Sequence, residues 1–458
     1  MAGDPRGWAE AQLTRFEPRV AGIPDSRSVA IELADYLEER GAARRAAQAQ
    51  GPAPAATMMT TASMPAKPLR TPEVKAAALA GREAYATLVG ARINSALTTQ
   101  TPFAERIAHF WANHFAVAAT KQTTVGFAGL LEFEAIRPHV MGRFGDMLLA
   151  VEQHPAMLFY LDQATSIGPD SPLAQRAAAR AGKRGLNENL AREILELHTL
   201  GVRTGYSQGD VTEFARALTG WTIAGIGRGP AARFMTGKTG AFVFVDGLHE
   251  PGDRTVMGKS YRAAGEAQGR AILADLAVHP ATARHVATKL ARHFGADNPP
   301  PAMVARIEQA FLKSGGDLAT VYRAVIASPE AWDPANAKFR SPWDWTVASL
   351  RAVGIKRIDG DATANLLNQL GQPVWRPDSP AGFDDVAAAW AGPDALVRRV
   401  EAAQRLAQRA GEGLDARTLA PRVLGAALTP ATTTAIGRSE SPATGLALML
   451  VSPEFLRR

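Results

Sequence analysis

Residues 103–117 read FAERIAHFWANHFAV, and this stretch carries the pattern that decides the fold. On a helical wheel its apolar side chains share one broad face, with His114 in the middle of that face and Asn113 at its edge. Most of the remaining chain is rich in Ala, Leu, Arg and Glu, and its apolar residues recur three and four positions apart. The sequence therefore predicts a mainly α-helical protein with a multi-helical body.

The same periodicity predicts individual helices along the chain, with a polar, basic connection at about 165–185. They are expected at 9–16, 26–49, 72–99, 103–118, 129–152, 155–163, 188–200, 207–218, 263–277, 280–294, 301–314, 317–327, 342–353, 361–370, 393–411, 417–426 and 440–451.

One region departs from the helical pattern. Residues 242–245 read FVFV and are followed by Asp246–Gly247, a Pro-Gly loop and a short apolar stretch at 255–257. β-Branched and aromatic residues bounded by such turn residues favour paired strands. We therefore expect a small β-hairpin insertion at about 240–258.

Composition divides the chain into parts. At roughly 100–200 residues per domain, 458 residues suggest two to four domains or subdomains. Residues 51–68 read GPAPAATMMTTASMPAKP, which has no periodicity and is typical of a linker. We predict an N-terminal helical segment at 1–50, a Pro/Ala/Thr linker at 51–70, a main helical domain with the hairpin at 71–340, and a C-terminal helical subdomain packed on it at 341–458.

Composition also excludes several kinds of chemistry and of partner. The chain has no cysteine, so disulfides, thiol nucleophiles, zinc–thiolate sites and iron–sulfur clusters are ruled out. Its 51 Lys and Arg against 44 Asp and Glu give a net charge of +7, which favours an anionic partner. The densest basic stretch, 176–184, lacks interleaved aromatic residues, so we expect no nucleic-acid partner. No apolar run approaches the ~20 residues of a membrane span, and we expect none.

Motif spacing excludes nucleotide and metalloprotease sites. The fragments Gly237–Thr239 and Gly258–Ser260 end like a phosphate-binding loop, but the first glycine of that motif is replaced by Ala232 in one and Asp253 in the other. His249 and the glutamate after it begin like a zinc-protease motif, but a Pro-Gly loop follows where that motif needs a helix. We expect no cofactor and no bound metal.

The predicted helix at 188–200 supplies a candidate general acid. Glu193 lies on the flank of its apolar face, where a carboxyl group held against apolar side chains has a raised pKa. The alternative is that Glu193 forms an ion pair with Arg216. The residues around it are polar: Asn187 is a good N-cap, Asn189 lies four positions before Glu193, and Glu188 and Arg192 are spaced for a surface ion pair.

Two tryptophans accompany these polar groups. Trp111 lies on the helix of His114 and Asn113, and Trp221 follows the helix predicted at 207–218. Aromatic walls with amides and carboxylates suit a carbohydrate, although tryptophan also fills cores. His114 is either a core histidine with a backbone partner or the floor of a cleft.

Many segments resemble the bacterial domain-of-unknown-function family 1800, over about residues 70–458. They are Pro102–Ile107, Phe110–Phe115, Asn187–Glu193, Leu197–Gly201, Tyr206, Asp210–Val211, Ala215–Trp221, His249 with Gly252, Gly258, His279–Ala283, Phe339–Pro342, Leu370–Pro373 and Ser452–Phe455. The family has no agreed activity. The resemblance implies a mainly helical, exported protein, periplasmic or secreted, often encoded beside a sulfatase-like partner.

Two departures from the family pattern stand out. The family loop usually reads His-Asp where this chain has His249–Glu250. The first residues, MAGDPRGWAEAQL, have neither the basic flank nor the apolar stretch of a signal peptide. Because an export signal usually precedes this region in the family, we expect the chain to be a trimmed or late-started form.

The leading hypothesis is a glycan-active enzyme, a hydrolase or a lyase, acting on an acidic polysaccharide. Glu193 would be the general acid and His114 or Glu188 its partner base. Substrate would be bound by Trp111, Asn113, Asn187, Asn189, Arg192, Trp221 and His249.

Two alternatives stay open. One is a non-catalytic protein, either a scaffold or a protein that binds a polysaccharide, an anionic surface or a partner. In such a protein the polar segments would form a buried hydrogen-bond network. The other is a metal site built from His114, Glu193 and His249. An enzyme should place Glu193 and His114 in the wall of one open cleft, whereas a scaffold should seal both from solvent.

Overall fold

Helices make up most of the computed structural model, which describes residues 3–49, 72–178, 185–226, 229–411 and 413–458. The predicted linker at 51–70 lies outside the described residues. The α-helices are α1 (Pro5–Arg15), α2 (Ser26–Ala49), α3 (Pro72–Thr98), α4 (Pro102–His114), α5 (Ala128–Leu130), α6 (Phe144–Glu152), α7 (Pro155–Tyr160), α8 (Pro172–Ala178), α9 (Asn189–Glu193), α10 (Gln208–Leu218), α11 (Glu266–Ala277), α12 (Pro280–Phe294), α13 (Pro301–Ser314), α14 (Leu318–Ala327), α15 (Pro342–Ala352), α16 (Gly360–Gln369), α17 (Ala387–Trp390), α18 (Pro393–Ala410), α19 (Ala416–Leu424), α20 (Pro430–Gly437) and α21 (Pro442–Leu450).

Many of these helices begin with a capping side chain followed by proline. Ser341 and Ser441 accept hydrogen bonds from backbone N–H groups in the first turns of α15 and α21. His279 does the same for α12 through its imidazole. Proline suits the next position, because its missing N–H would have no partner inside the helix. These local signals explain why most helix starts can be predicted from sequence.

The prediction of one helix over 129–152 is wrong. Instead α5 runs into a wide π-helical turn at Leu131–Ile136 and a 3-10 turn at Arg137–His139, and α6 begins only at Phe144. Pro138 cannot donate a backbone hydrogen bond and its ring clashes with the preceding turn, so the helix breaks there.

Two further helix predictions need correction. The helix predicted at 188–200 is α9 followed by a π-helical turn at Ile194–His198. The connection predicted at 165–185 contains α8, a helix of seven residues.

The β-structure is small, as predicted, but its pairing differs from a single hairpin. Strands β1 (Trp221–Ile223) and β2 (Phe242–Phe244) form one antiparallel pair, and β3 (Arg254–Val256) and β4 (Lys259–Tyr261) form another. Only the second pair is a tight hairpin, because its strands are joined by the two residues Met257 and Gly258. The mainly α fold with a small β insertion is confirmed.

One continuous hydrophobic core joins the helices, from Ala9 near the start to Leu456 near the end. It contains residues on both sides of the boundary predicted at 340 and 341, and the division into 71–340 and 341–458 stays a prediction. Among the described residues, no helix is both long and apolar enough to cross a membrane.

A buried network of charges lies inside this core, at the start of α4. Arg137 donates two hydrogen bonds to Glu105, with Nη1–Oε1 and Nη2–Oε2 distances of 2.9 and 2.7 Å. Arg92 lies 2.8 Å from Glu132 (Nε–Oε2), which also accepts from the indole N–H of Trp375. Burial disfavours ionised Glu105, but its interactions with nearby His109 and with Arg137 outweigh burial and hold the pKa of Glu105 below its usual range.

We expect Glu105→Gln to lower the free energy of unfolding at neutral pH by about 3–5 kcal/mol, because it leaves Arg137 buried without its carboxylate. The loss should shrink below about pH 4.5, since there the unfolded parent binds a proton that the folded parent does not. Urea unfolding at several pH values measures both effects. Glu401→Gln, at an exposed site on α18, is the matched control, and equal stabilities of the two variants would contradict the prediction.

Candidate functional site

Three basic side chains form a wall between two pockets. Arg106 comes from α4, His293 from the last turn of α12, and Arg458 from the segment after α21. All three line both pockets, and we call them the arginine wall. The segment of Arg458 is fixed by backbone hydrogen bonds in both directions with Lys338, at 2.9 and 3.0 Å. Three distant parts of the chain therefore meet at one place.

The first pocket, here called the polar pocket, has a volume of about 90 Å³. That is less than the roughly 150 Å³ of an engineered cavity that holds benzene, so it suits a small polar group and not a whole sugar ring. Besides the wall it is lined by polar and aromatic side chains, including Arg92, His109, Asn113, Trp343, Asp344, Gln372, Trp375 and Asp385.

The second pocket, here called the aromatic pocket, has a volume of about 290 Å³. Its side chains are mostly aromatic and aliphatic, and its four aromatic residues are Trp8, Phe103, Phe294 and Trp332. Trp332 keeps 38% of its surface exposed. By volume this pocket accepts a six-membered ring, and aromatic faces are the surfaces on which the apolar faces of sugars stack.

Arg106 is the cation of the wall without a partner. Its guanidinium forms no hydrogen bond or salt bridge with any residue in the described part of the chain, and its Nε is buried. Its Cζ lies 5.1 Å from the centroid of the Phe294 ring. Burial and the charge of Arg458 lower the pKa of Arg106 to about 9. An anion bound beside Arg106 would stabilise its buried positive charge.

The other two members of the wall are held by acids. Asp344 lies 2.6 Å from Arg458 (Oδ2–Nη1), and Asp385 lies 2.6 Å from His293 (Oδ2–Nδ1). Burial lowers the pKa of His293, although Asp385 opposes this effect. Nε2 of His293 is buried and has no hydrogen-bond partner among the described residues. The imidazole is thus fixed at one nitrogen and unpartnered at the other.

His114 and Glu193 differ in their burial. His114 is 1% exposed, and its Nε2 lies 3.1 Å from the carbonyl oxygen of His198. Glu193 is half-buried, and burial raises its pKa, as predicted from the helical wheel. Neither residue lines the polar or the aromatic pocket. His114 and Glu193 therefore do not share the wall of either of these two pockets.

Trp111 and Trp221 are sealed in the core, which corrects the hypothesis that they form stacking walls. Both are 0% exposed. The indole N–H of Trp111 donates to the hydroxyl of Tyr322 at 2.6 Å. A ring without exposed surface has no face to offer a substrate, and the exposed tryptophan at a pocket is Trp332 instead.

The polar residues around α9 are engaged with one another. Glu188 accepts hydrogen bonds from Thr212 and Gln208, at 2.7 and 2.8 Å, and pairs with Arg192 at 3.2 Å. The side-chain oxygen of Asn187 accepts from the backbone N–H of Asn189. The residues at 187–189 line a third pocket of about 970 Å³, away from the arginine wall.

Asn113 and His249 also have structural partners. Both amide atoms of Asn113 bind the backbone of Phe383, each at 2.8 Å. His249 is buried and its Nδ1 lies 2.9 Å from the carbonyl oxygen of Thr219. Within the described ranges no group of three or more His, Asp or Glu side chains could hold a metal ion, so His114, Glu193 and His249 do not form the alternative metal site.

Sequence reasoning missed the arginine wall, but one signal pointed to it. Four of the segments that carry the family resemblance, at 102–107, 110–115, 339–342 and 370–373, contribute to the polar pocket. Each of these segments alone gives an ordinary helix or turn.

The chain was also compared with known proteins. A family model described as "Protein of unknown function (DUF1800)" matches residues 2–457, which extends the resemblance to the N-terminal segment. No curated protein and no solved structure matches the chain.

Two histidines, buried His114 and half-buried His285, should make stability depend on pH. Burial lowers the pKa of His114 well below 6.5 and that of His285 to about 4, so both stay neutral in the fold while the unfolded chain binds protons below pH 6.5. Lowering the pH from about 7.5 to about 5.5 should therefore cost about 1.4 kcal/mol of unfolding free energy for each histidine. Urea unfolding of the parent and of His285→Gln at both pH values measures this. The variant should lose about 1.4 kcal/mol less than the parent, and equal losses would contradict the expectation.

Proposed function

Since the chain belongs to the DUF1800 family of proteins of unknown function, we propose that it binds an acidic polysaccharide at the arginine wall. The sugar ring lies in the aromatic pocket and its acidic group contacts Arg106. The observation that carries this proposal is the guanidinium of Arg106, which lines both pockets and forms no salt bridge with a described residue.

The chemistry of the wall favours a carboxylate or a sulfate as the bound group. Asp344 and Asp385 already engage Arg458 and His293, so Arg106 is the member left to bind a ligand anion. Arginine presents its donors in a planar fork that matches the oxygens of such groups. The small volume of the polar pocket admits an acidic group, while the larger aromatic pocket supplies the space for the ring.

A second candidate is the glycan-active enzyme with Glu193 as general acid and Glu188 or His114 as its partner. The raised pKa of half-buried Glu193 supports it. This hypothesis requires Glu193→Gln to lose roughly 10²- to 10⁴-fold of any polysaccharide-degrading activity. A folded variant that degrades a panel of acidic polysaccharides as fast as the parent would rule it out.

The export of the protein and its partner protein are proposed from the family resemblance. We infer that the protein is periplasmic or secreted and acts beside a sulfatase-like protein, as the family resemblance implies. A sulfatase partner would fit a sulfated or carboxylated glycan. Pull-down of the co-expressed partner, with and without acidic polysaccharide, tests the association.

Replacement of Arg106 is the direct test of binding. Arg106→Met keeps the aliphatic stem beside Phe294 but removes the charge, so it should weaken binding of an oligogalacturonate by roughly 10- to 150-fold, as expected for a hydrogen-bonded charge worth about 1.5–3 kcal/mol. Isothermal titration calorimetry measures the affinity.

The matched control is Arg284→Met, an exposed arginine on α12 that pairs with Glu308. It should bind like the parent. A parent that binds no acidic oligosaccharide, or an Arg106→Met variant that binds as tightly as the parent, would refute the proposed function.

A further inference from the structure

We propose that His293, oriented by Asp385, is the base of a β-elimination reaction that cleaves a uronate polysaccharide at the arginine wall. This inference rests on the proposed function, because it requires an acidic sugar bound beside Arg106. It assigns a catalytic site to residues that the sequence had not singled out.

The pair of His293 and Asp385 has the geometry of an oriented base. The Oδ2–Nδ1 distance of 2.6 Å makes Nδ1 the protonated nitrogen, which donates to the carboxylate. The lone pair then lies on Nε2, which has no partner in the described part of the chain. Rings of Phe110 and Phe294 contact the imidazole, at centroid distances of 5.4 and 4.7 Å, and hold it in place.

Asp385 is itself held in the ionised form. Its Oδ1 lies 3.5 Å from Nζ of Lys338 and 3.9 Å from Nη2 of Arg458. Burial alone would raise the pKa of Asp385, but His293, Arg458 and Lys338 outweigh burial and hold it below the usual range. Asp385 therefore serves as a hydrogen-bond acceptor that positions His293 and stabilises the imidazolium when it forms.

The neighbouring arginines supply what elimination needs. Removing the proton on the carbon next to a carboxylate spreads negative charge onto the carboxylate oxygens. Arg106 lines the same two pockets as His293 and is free to neutralise that charge. Preorganised cations placed where charge develops are among the largest contributions to catalysis.

The step balances without a co-reactant other than water. Nε2 of His293 takes the proton from the α carbon of the uronate, and the released electron pair forms a double bond between the α and β carbons. The bond between the β carbon and the glycosidic oxygen breaks, and that oxygen leaves with the electron pair and takes a proton from water. The imidazolium then returns its proton to water.

The acids of the site favour elimination over hydrolysis. Glycoside hydrolysis uses a pair of carboxyl groups, one of them protonated. Asp344 and Asp385, the acids paired with the wall, both have a pKa below the usual range, because neighbouring arginines and His293 outweigh the effect of burial. Neither is suited to donate a proton near neutral pH, whereas the lowered pKa of His293 leaves its imidazole neutral and able to accept one.

The test is an assay on polygalacturonate, polymannuronate and polyglucuronate, followed by the ultraviolet absorbance of the new conjugated double bond and by reducing ends. The parent should produce both signals together on at least one polymer. His293→Ala and His293→Gln should lose about 10²- to 10⁴-fold of the rate. The glutamine of His293→Gln can still donate a hydrogen bond to Asp385 but cannot take a proton. A loss of rate in this variant is therefore due to the missing base and not to a loss of side-chain packing. Circular dichroism checks that both variants fold.

Calorimetry separates failure of this inference from failure of the proposed function. Binding of oligogalacturonate by the parent reports on the proposed function alone, and Arg284→Met should match the parent in binding and in rate. Three results would overturn the assignment of His293. The parent could bind but give no unsaturated product on any of the polymers, it could give reducing ends without the double bond, or a His293 variant could react at the parental rate. Absence of binding by the parent would overturn the proposed function itself.

Discussion

The bidentate ion pair between Glu105 and Arg137 is the interaction on which the rest of the structure depends. It lies in the first turn of α4, and both side chains are almost fully buried. A buried carboxylate with a matched guanidinium allows one orientation of α4, because any rotation of the helix would leave a charge unpaired in the core. Glu105 also accepts from Ser95 of α3, which fixes α4 against the neighbouring helix.

The orientation of α4 sets up the candidate site. Once Glu105 points into the core, the next residue, Arg106, points to the two pockets, and His109 and Asn113 follow along the polar pocket. His109 lies 3.5 Å from Glu105 and accepts from the indole N–H of Trp343, so it joins the buried network to the pocket wall. Of these two adjacent residues, Glu105 is therefore paired with Arg137 in the core. Arg106 is left available to bind a ligand.

Much of the fold could be predicted because its signals are local. The helices at 280–294 and 301–314 have the predicted bounds, since amphipathic periodicity and a proline at the start mark each of them. The break at Pro138 was missed because apolar periodicity continues through it. The pairing of β1 with β2 was missed because their partners lie about twenty residues apart, with no turn motif to link them.

The site could be predicted only in part, because it is assembled from distant residues. The raised pKa of Glu193 follows from its place on one helix and was foreseen. His293, Asp385 and Arg458 come from different elements, and no spacing in the sequence connects them with Arg106. The helical wheel correctly placed His114 on the apolar face but could not say whether that face was sealed.

A crystal structure of the protein with a bound acidic oligosaccharide tests the central claim most directly. The account predicts a sugar ring against Trp8 and Trp332, with its carboxylate or sulfate within hydrogen-bond distance of the Arg106 guanidinium. An oligosaccharide bound elsewhere, with the arginine wall and both pockets unoccupied, would contradict it.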